Sequence, residues 1–386
     1  MDATKPSRAL RAHSFEDEDM AHDHSVSPPA GATNPGVGAH HKPSAAKAPH
    51  CEDERKDRKD SVSVRPRIAH TPFDIACAKD VNRRRHMEDR VYYRRDVLAH
   101  MLAETELGPQ LAGVERITAF GVMDGHAGTG AVEFVNKEFL NQFLTNCKSF
   151  MTQPMPLSVG PPGGSFSSDS DVWSDDDSVT PKVPLQEVVQ TALVETMRCL
   201  DARFCCKASK RRDRSGACVC MCLLVDHKLF VCNVGDCRAV VVRHGYHATA
   251  LSEDHKPDRY DESTRILRAG GSVQHSNGEF RVMPHGIGVS RSIGDYMAKE
   301  DYTRPAARPR LLIPDPEVTV TDVTPDMYWL IVASDGVWGK LSNQHVADAT
   351  RGKRDAKAAC SAIVAAAKRA GSIDNISLIA LRLGSV

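Results

Sequence analysis

The sequence predicts an α+β fold in which antiparallel sheets carry helices on their outer faces. Two observations predict this class. Residues 217–250 form a block of short apolar runs separated by turn residues, and segments with helical periodicity lie on either side of such runs. Strands joined by short hairpins pair antiparallel, and amphipathic helices bury their apolar face against a sheet.

Strands are predicted where a short apolar run lies between turn residues. Residues 117–123 (ITAFGVM) form such a run and lead directly into Asp124-Gly125-His126. Gly235-Asp236 marks a turn within the central block, and we expect Asp236 and Arg238 to pair across it. The remaining strands are expected at 217–225, 228–233, 238–243, 246–250, 328–333 and 376–383.

Helices are predicted where apolar residues recur every three or four positions. The first predicted helix carries its apolar residues from Val132 to Phe143, and the second from Leu185 to Phe204. Further helices are expected at 260–269, which ends at Gly270-Gly271, from about Ser342, and over the alanine-rich residues 354–369.

Two segments have a composition that predicts disorder. Residues 1–70 are rich in Pro, Ala, Ser, His and charged residues and show no periodicity, so they are expected to form a disordered tail. Residues 151–184 are rich in Pro, Ser and Asp, and periodic structure resumes on both sides of them. We therefore expect one folded domain at 71–386, with an acidic surface insertion at 151–184.

Composition argues against several classes of protein. The chain has 50 basic and 50 acidic residues, and this balance argues against a dedicated nucleic-acid binder. No run approaches the roughly 20 apolar residues of a membrane span. Cys218, Cys220 and Cys222 alternate along one apolar run, which predicts buried free thiols in a reducing compartment. We expect a monomer located in the cytoplasm, with the nucleus as the second candidate compartment.

Carboxylates stand next to glycine, to asparagine or to each other at four places, and the last three of these adjoin predicted strands. The segments are Glu88-Asp89, Asp124-Gly125, Asp335-Gly336 and Asp374-Asn375. Carboxylates that converge at one edge of a pair of sheets repel one another, and a hard divalent cation would relieve that repulsion. Mg²⁺ and Mn²⁺ prefer such oxygen ligands, so the pattern favours a metal centre.

These segments belong to a longer series of motifs in a fixed order. The series comprises 84–89, 124–128, 213–216, 235–238, 251–257, 270–273, 289–295, 334–338 and 374–376. Together they resemble the metal-dependent serine/threonine protein phosphatases of type 2C, also called the PPM family. The resemblance covers the whole chain except the tail and the insertion. It implies a four-layer α/β/β/α sandwich of two antiparallel sheets packed face to face, which hydrolyses phosphoserine and phosphothreonine in proteins.

The resemblance also implies the metal ligands, for two divalent ions that are Mg²⁺ or Mn²⁺. Asp124 would bridge the two ions, and the carbonyl of Gly125 would bind one of them. Asp335 and Asp374 would complete the shell of the other ion, and the Glu88-Asp89 pair would hold metal-bound water. Many members carry an aspartate where this chain has Gly339, so a tight third ion is not expected.

Two further residues are expected to act on the phosphate. Arg84 would hold the phosphate oxygens with its planar guanidinium, although it lies in a basic run that is also compatible with a solvated face. His126 would protonate the departing alkoxide, because its pKa suits a general acid; the alternative is a histidine that hydrogen-bonds metal-bound water. Water would attack phosphorus directly, without a phosphoenzyme intermediate.

Two other functions remain as alternatives. The first is a catalytically inactive pseudophosphatase that binds partners, which the presence of Asp124, Asp335 and Asp374 disfavours. The second is a hydrolase for small phosphorylated metabolites. The segment 254–290 resembles the flap that influences substrate choice in the family, and it favours phosphorylated proteins as substrates.

Overall fold

A computed structural model describes residues 11–14, 74–103, 111–152, 183–299 and 310–384. Its strands are β1 (Arg11–Ser14), β2 (Ile75–Asp80), β3 (Arg90–Arg94), β4 (Ile117–His126), β5 (Gly216–Val225), β6 (Lys228–Val234), β7 (Arg238–Arg243), β8 (His247–Ala250), β9 (Ser272–Ser276), β10 (Glu279–Met283), β11 (Ile293–Gly294), β12 (Glu317–Asp322), β13 (Met327–Ala333) and β14 (Ile376–Arg382). Its helices are α1 (Val97–Ala103), α2 (Gly130–Thr152), α3 (Leu185–Arg211), α4 (Tyr260–Arg268), α5 (Asp335–Trp338), α6 (Asn343–Thr350) and α7 (Ala356–Arg369).

Two antiparallel sheets form the centre of the fold. The first has the strand order β1-β2-β14-β13-β7-β8, and the second has the order β12-β6-β5-β4-β3, with β11 paired to β5. The hairpin β9–β10 forms a small sheet of its own within the flap. The predicted strands of the central block and the C-terminal strand are confirmed.

The core lies in three apolar layers, which produce the four-layer sandwich. Between the two sheets, Phe120 and Val122 of β4 pack with Leu330 and Ile379 of the first sheet. Outside the second sheet, residues of β4 and β5 pack on α2 and α3, and outside the first sheet α6 and α7 cover β13 and β14. The predicted arrangement of two face-to-face sheets with helices outside is confirmed.

The alternation of residues along β5 decides what each face contacts. Val219, Met221 and Leu223 face the helices, and the intervening cysteines Cys220 and Cys222 face the other sheet. Because side chains of a strand point alternately to its two faces, the thiols share one side. They are fully buried and form no disulfide, as the sequence predicts.

Several elements escaped the sequence analysis. They are β2, β3, α1, the hairpin β9–β10, β11, β12 and the short helix α5. The edge strand β12 contains no buried residue, and the flap hairpin contains only Val282, so neither produces a strong apolar pattern. Strand β1 lies in the segment where no regular structure was expected and pairs antiparallel with β2. The rest of the predicted tail, and the insertion from 153 to 182, lie outside the described residues.

The predicted ion pair between Asp236 and Arg238 is wrong. Nζ of Lys256 donates to Asp236 at 2.5 Å, and the guanidinium of Arg238 donates to both carboxylate oxygens of Asp254 at 2.8 and 2.7 Å. The reason is that the segment containing these partners runs alongside the turn, where His255 N–H donates to the Gly235 carbonyl.

Within the described part of the chain, no helix is long and apolar enough to cross a membrane.

Candidate active site

The acidic residues predicted as metal ligands come together where both sheets end. Asp124 lies near the end of β4, Asp89 precedes β3, Asp335 begins α5, and Asp374 precedes β14. Asp124 interacts directly with both Asp89 and Asp335. The structure therefore assembles carboxylates from both sheets in one cluster, and their role as metal ligands stays a prediction.

Burial and mutual repulsion raise the pKa values of this cluster. Burial, followed by the charges of Asp89 and Asp335, raises the pKa of Asp124 well above its usual range. Burial and the charge of Asp236 raise the pKa of Asp335 to about 7. Burial also raises the pKa of Asp89 to about 6, although Ser334 Oγ donates a hydrogen bond to it at 3.1 Å. The ionised cluster therefore lacks sufficient positive charge nearby.

The cluster fits divalent cations by its donor chemistry and charge. Its oxygen atoms are the ligands that Mg²⁺ and Mn²⁺ prefer, and a cation would offset the repulsion that raises the carboxyl pKa values. In the described ranges, however, no group of three or more His, Cys, Asp or Glu side chains already surrounds a point suited to a metal ion. The cluster thus has suitable donor atoms without a ready-made coordination shell.

Gly125 brings β4 against the segment that carries Glu88. A Cβ at position 125 would lie 2.5 Å from the carbonyl oxygen of Glu88, so only glycine allows this approach. The Glu88 side chain turns toward the loop after β4, where its Oε1 accepts a hydrogen bond from the Gly128 N–H at 2.8 Å. Both residues therefore lie at the predicted site.

Asn375 fastens the segment before β3 to the cluster, a role that the sequence analysis did not assign. Its Oδ1 accepts a hydrogen bond from the Glu88 N–H at 2.8 Å. Its Nδ2 donates to the carbonyl oxygens of Val81 and His86 at 3.1 and 3.0 Å. Because these contacts span almost the whole chain, the only available signal was the adjacency of Asn375 to Asp374.

Arg84 lies in the segment that Asn375 holds. Its Nη2 pairs with Oδ2 of Asp374 at 2.5 Å, and 53% of its side chain is exposed. The guanidinium therefore stands beside one of the predicted metal ligands and is accessible to a phosphate group. This placement agrees with an active-site position for Arg84.

His126 forms an ion pair with Asp295, a residue to which the sequence analysis gave no role. His126 Nε2 lies 2.8 Å from Oδ2 of Asp295, and Ser292 Oγ donates to the same oxygen at 2.6 Å. Burial would lower the pKa of His126, but the charge of Asp295 raises it above the usual value. Asp295 thus favours the protonated imidazole, which is the form that donates a proton.

A sequence profile described as protein phosphatase 2C matches residues 78–376. The chain belongs to this family. It is 32% identical over 81% of its length to "Probable protein phosphatase 2C 32" of Oryza sativa subsp. japonica, and it covers 66% of that protein. It is 31% identical over 71% of its length to "Probable protein phosphatase 2C 2" of Arabidopsis thaliana, and it covers 61% of that protein.

Two solved structures share the fold. A serine-threonine phosphatase 2C from Toxoplasma gondii superposes with a TM-score of 0.59 at 23% identity, covering 80% of this chain and 94% of that one. A C. elegans sex determining protein superposes with a TM-score of 0.58 at 18% identity, covering 81% of this chain and 65% of that one. This phosphatase 2C chain spans about two thirds or less of the curated relatives named above.

Asp213 and Gly339 stand at the two positions that the family resemblance connects with a third metal ion. Asp213 Oδ1 accepts a hydrogen bond from the Ser215 N–H at 3.0 Å and so closes a turn. Gly339 follows α5 and offers no carboxylate. The expectation that a tight third ion is absent stays a prediction.

Proposed function

We propose that this chain is a metal-dependent protein phosphatase that hydrolyses phosphoserine and phosphothreonine. The observation that carries the proposal is the buried cluster of Asp89, Asp124 and Asp335, whose pKa values are raised by burial and mutual repulsion, beside the His126–Asp295 pair. Membership of the phosphatase 2C family supports the same activity.

The site residues have separate roles in the proposed hydrolysis. Divalent cations of the Mg²⁺ or Mn²⁺ type, held by Asp124, Asp335, Asp374 and the Gly125 carbonyl, would supply charge compensation and a water molecule of lowered pKa. Glu88 and Asp89 would orient water at the same site.

Arg84 and His126 act on the substrate itself. The Arg84 guanidinium binds two phosphate oxygens in its planar fork and so orients phosphorus for in-line attack by water. When the bond from phosphorus to the Ser or Thr oxygen breaks, protonated His126 donates its proton to that oxygen. Asp295 keeps His126 oriented and protonated. No side chain is phosphorylated in this scheme.

The test is phosphate release from a phosphothreonine peptide, with Mg²⁺ or Mn²⁺ and with excess chelator. Asp335→Asn removes one charge from the cluster with little change of volume, and we expect it to abolish turnover. Asp348→Asn, on the exposed face of α6, is the matched control and should retain full activity. A small phosphorylated sugar, assayed in parallel, separates protein substrates from metabolites.

Folded protein that releases no phosphate with either metal would contradict the proposal and would favour the pseudophosphatase. A cytoplasmic location and a monomeric state stay predictions from the sequence.

A further inference from the structure

Four exposed cations lie within residues 210–214 at the end of α3, in a group that we call the rim cluster. It consists of Lys210, Arg211, Arg212 and Arg214. Within the described ranges, no ion pair or side-chain hydrogen bond occupies any of the four. In a chain with equal numbers of acidic and basic residues, four adjacent cations without acidic partners are an unusual concentration of charge.

Acidic residues of the neighbouring helix α2, and the aspartate inside the cluster, already have other partners. Glu138 pairs with Arg203 at 2.6 Å, and Glu133 pairs with Arg90. Asp213 lies within the cluster itself, but its Oδ1 accepts the Ser215 N–H and its Oδ2 packs against Gly130. The positive charge of the cluster is therefore directed to solvent.

The C-terminal end of the rim cluster, Arg214, lies two residues before the strand position that is paired with His126. Gly216, two residues after Arg214, is the register partner of His126 in the pairing of β4 with β5. A Cβ on Gly216 would lie 2.3 Å from His126 Nε2 and 2.2 Å from Oδ2 of Asp295. Two extended residues span about 7 Å, so the guanidinium of Arg214 lies within roughly 15 Å of the site of proton transfer.

We propose that the rim cluster is an anion subsite for the substrate, which binds acidic or additional phosphorylated residues near the phosphoresidue under attack. This inference rests on the proposed phosphatase function and names its preferred substrates. Guanidinium groups bind carboxylates and phosphates through paired hydrogen bonds, which suits such residues. A distance of roughly 10 to 15 Å corresponds to three to five residues of extended peptide.

The cluster lies on the His126 side of the site, whereas Arg84 lies beside Asp374. The two basic groups therefore serve different parts of the substrate: Arg84 binds the phosphate under attack, and the rim cluster binds the flanking chain. Because the cluster is exposed, its contribution is screened by salt and acts mainly on substrate capture.

Two phosphothreonine peptides of equal length test the proposal with the full chain. One carries Asp and Glu three to five residues on both sides of the phosphothreonine, and the other carries Ser and Gly there. We expect kcat/KM to be about tenfold higher for the acidic peptide at low salt, mostly through KM, and the preference to disappear at high salt.

The test variant is K210Q/R211Q/R212Q/R214Q, and we expect it to lose the preference while hydrolysing the neutral peptide as wild type does. The matched control is K353Q/R354Q/K357Q/R369Q, which removes the same number of charges on and beside α7, in the opposite outer layer. The control should retain the preference. An unchanged preference in the rim variant overturns the proposal.

A direct measurement of peptide binding tests the anion subsite independently of catalysis. The fluorescent acidic phosphopeptide should bind the wild type more tightly than the rim variant even if neither releases phosphate, an outcome that would contradict the proposed activity but support the subsite. Equal binding by the two proteins would overturn the subsite. Binding of phosphatidylserine vesicles or duplex DNA through the cluster, without any peptide preference, would overturn it as well.

Discussion

His126 and Asp295 lie 169 positions apart in the chain and form one proton-donating unit. In the proposed mechanism the imidazole donates the proton, because 34% of its side chain is exposed, whereas Asp295 is 5% exposed and would act through it. The aspartate is itself held by Ser292. The orientation of the general acid therefore depends on the short segment 292–295.

We expect His126→Gln to lower kcat on a phosphothreonine peptide by about 10² to 10³ but to change kcat on p-nitrophenyl phosphate far less. An alkoxide needs a proton to leave, whereas p-nitrophenolate is stable without one. Asp295→Asn should show the same dependence on the leaving group with a smaller loss. Equal losses on both substrates would instead favour a histidine that only orients water.

At the scale of an element, the segment before β3 depends on Asn375. We expect Asn375→Ala to raise KM and lower kcat together, because the segment that carries Arg84 and Glu88 loses the hydrogen bonds that hold its backbone at Val81, His86 and Glu88. The expected loss in the free energy of unfolding is about 1–3 kcal/mol, since three buried or half-buried polar groups lose their partner. Asn343→Ala, at the start of α6, is a control for loss of an amide outside the cluster. Unchanged kinetics in Asn375→Ala would contradict the positioning role.

The flap is anchored to the second sheet through Glu262 of α4. Arg265 and Arg291 donate hydrogen bonds to its carboxylate at 2.7 Å each, and Arg291 also reaches Glu317 of β12 at 3.2 Å. Burial would raise the pKa of Glu262, but the hydrogen bonds from these arginines lower it to about 2. An ordinary glutamate has a pKa of about 4.3, so this residue stabilises the fold above that pH and loses the effect as pH falls toward 2.

We expect Glu262→Gln to reduce the free energy of unfolding by about 2–3 kcal/mol at pH 7, because Arg265 loses its carboxylate partner and Arg291 keeps only Glu317. The difference from wild type should shrink between pH 5 and pH 3. Glu279→Gln, at an exposed position in the same flap, should change stability by less than about 0.5 kcal/mol. Urea unfolding at several pH values measures both variants. A stability difference between wild type and Glu262→Gln that does not depend on pH would contradict the lowered pKa of Glu262.

At the scale of the whole molecule, the carboxylate cluster joins the two sheets at a cost in stability. In excess chelator at pH 8, we expect Asp335→Asn to unfold at a temperature several degrees higher than wild type, because one repelling charge is removed. Mg²⁺ or Mn²⁺ should raise the unfolding temperature of wild type much more than that of the variant. Calorimetry measures the unfolding temperature of wild type and of the variant, each with metal and with chelator. A less stable variant in chelator would show that Asp335 stabilises the fold without metal.

The layered fold was largely predictable because its signals are local. The apolar alternation of β5 and the helical spacing of α2 and α3 each depend on neighbouring residues, and the structure places them as expected. Weakly buried elements such as β12 were missed because none of their residues is fully buried, which leaves only a weak apolar pattern. Motif order identified the carboxylates of the site, including Asp124 and Asp335, since each stands at the end of an apolar run.

The sequence by itself determined the strands and helices of the core, the family resemblance and the acidic residues of the site, because periodicity and motifs act over short stretches of chain. Tertiary structure alone decided which side chains pair. Asp236 takes Lys256 as its partner, and His126 takes Asp295. These choices depend on how segments far apart in sequence pack, since a charge binds the opposite charge that packing brings within about 3 Å. The position of the rim cluster beside His126 arises in the same way, from the pairing of β4 with β5.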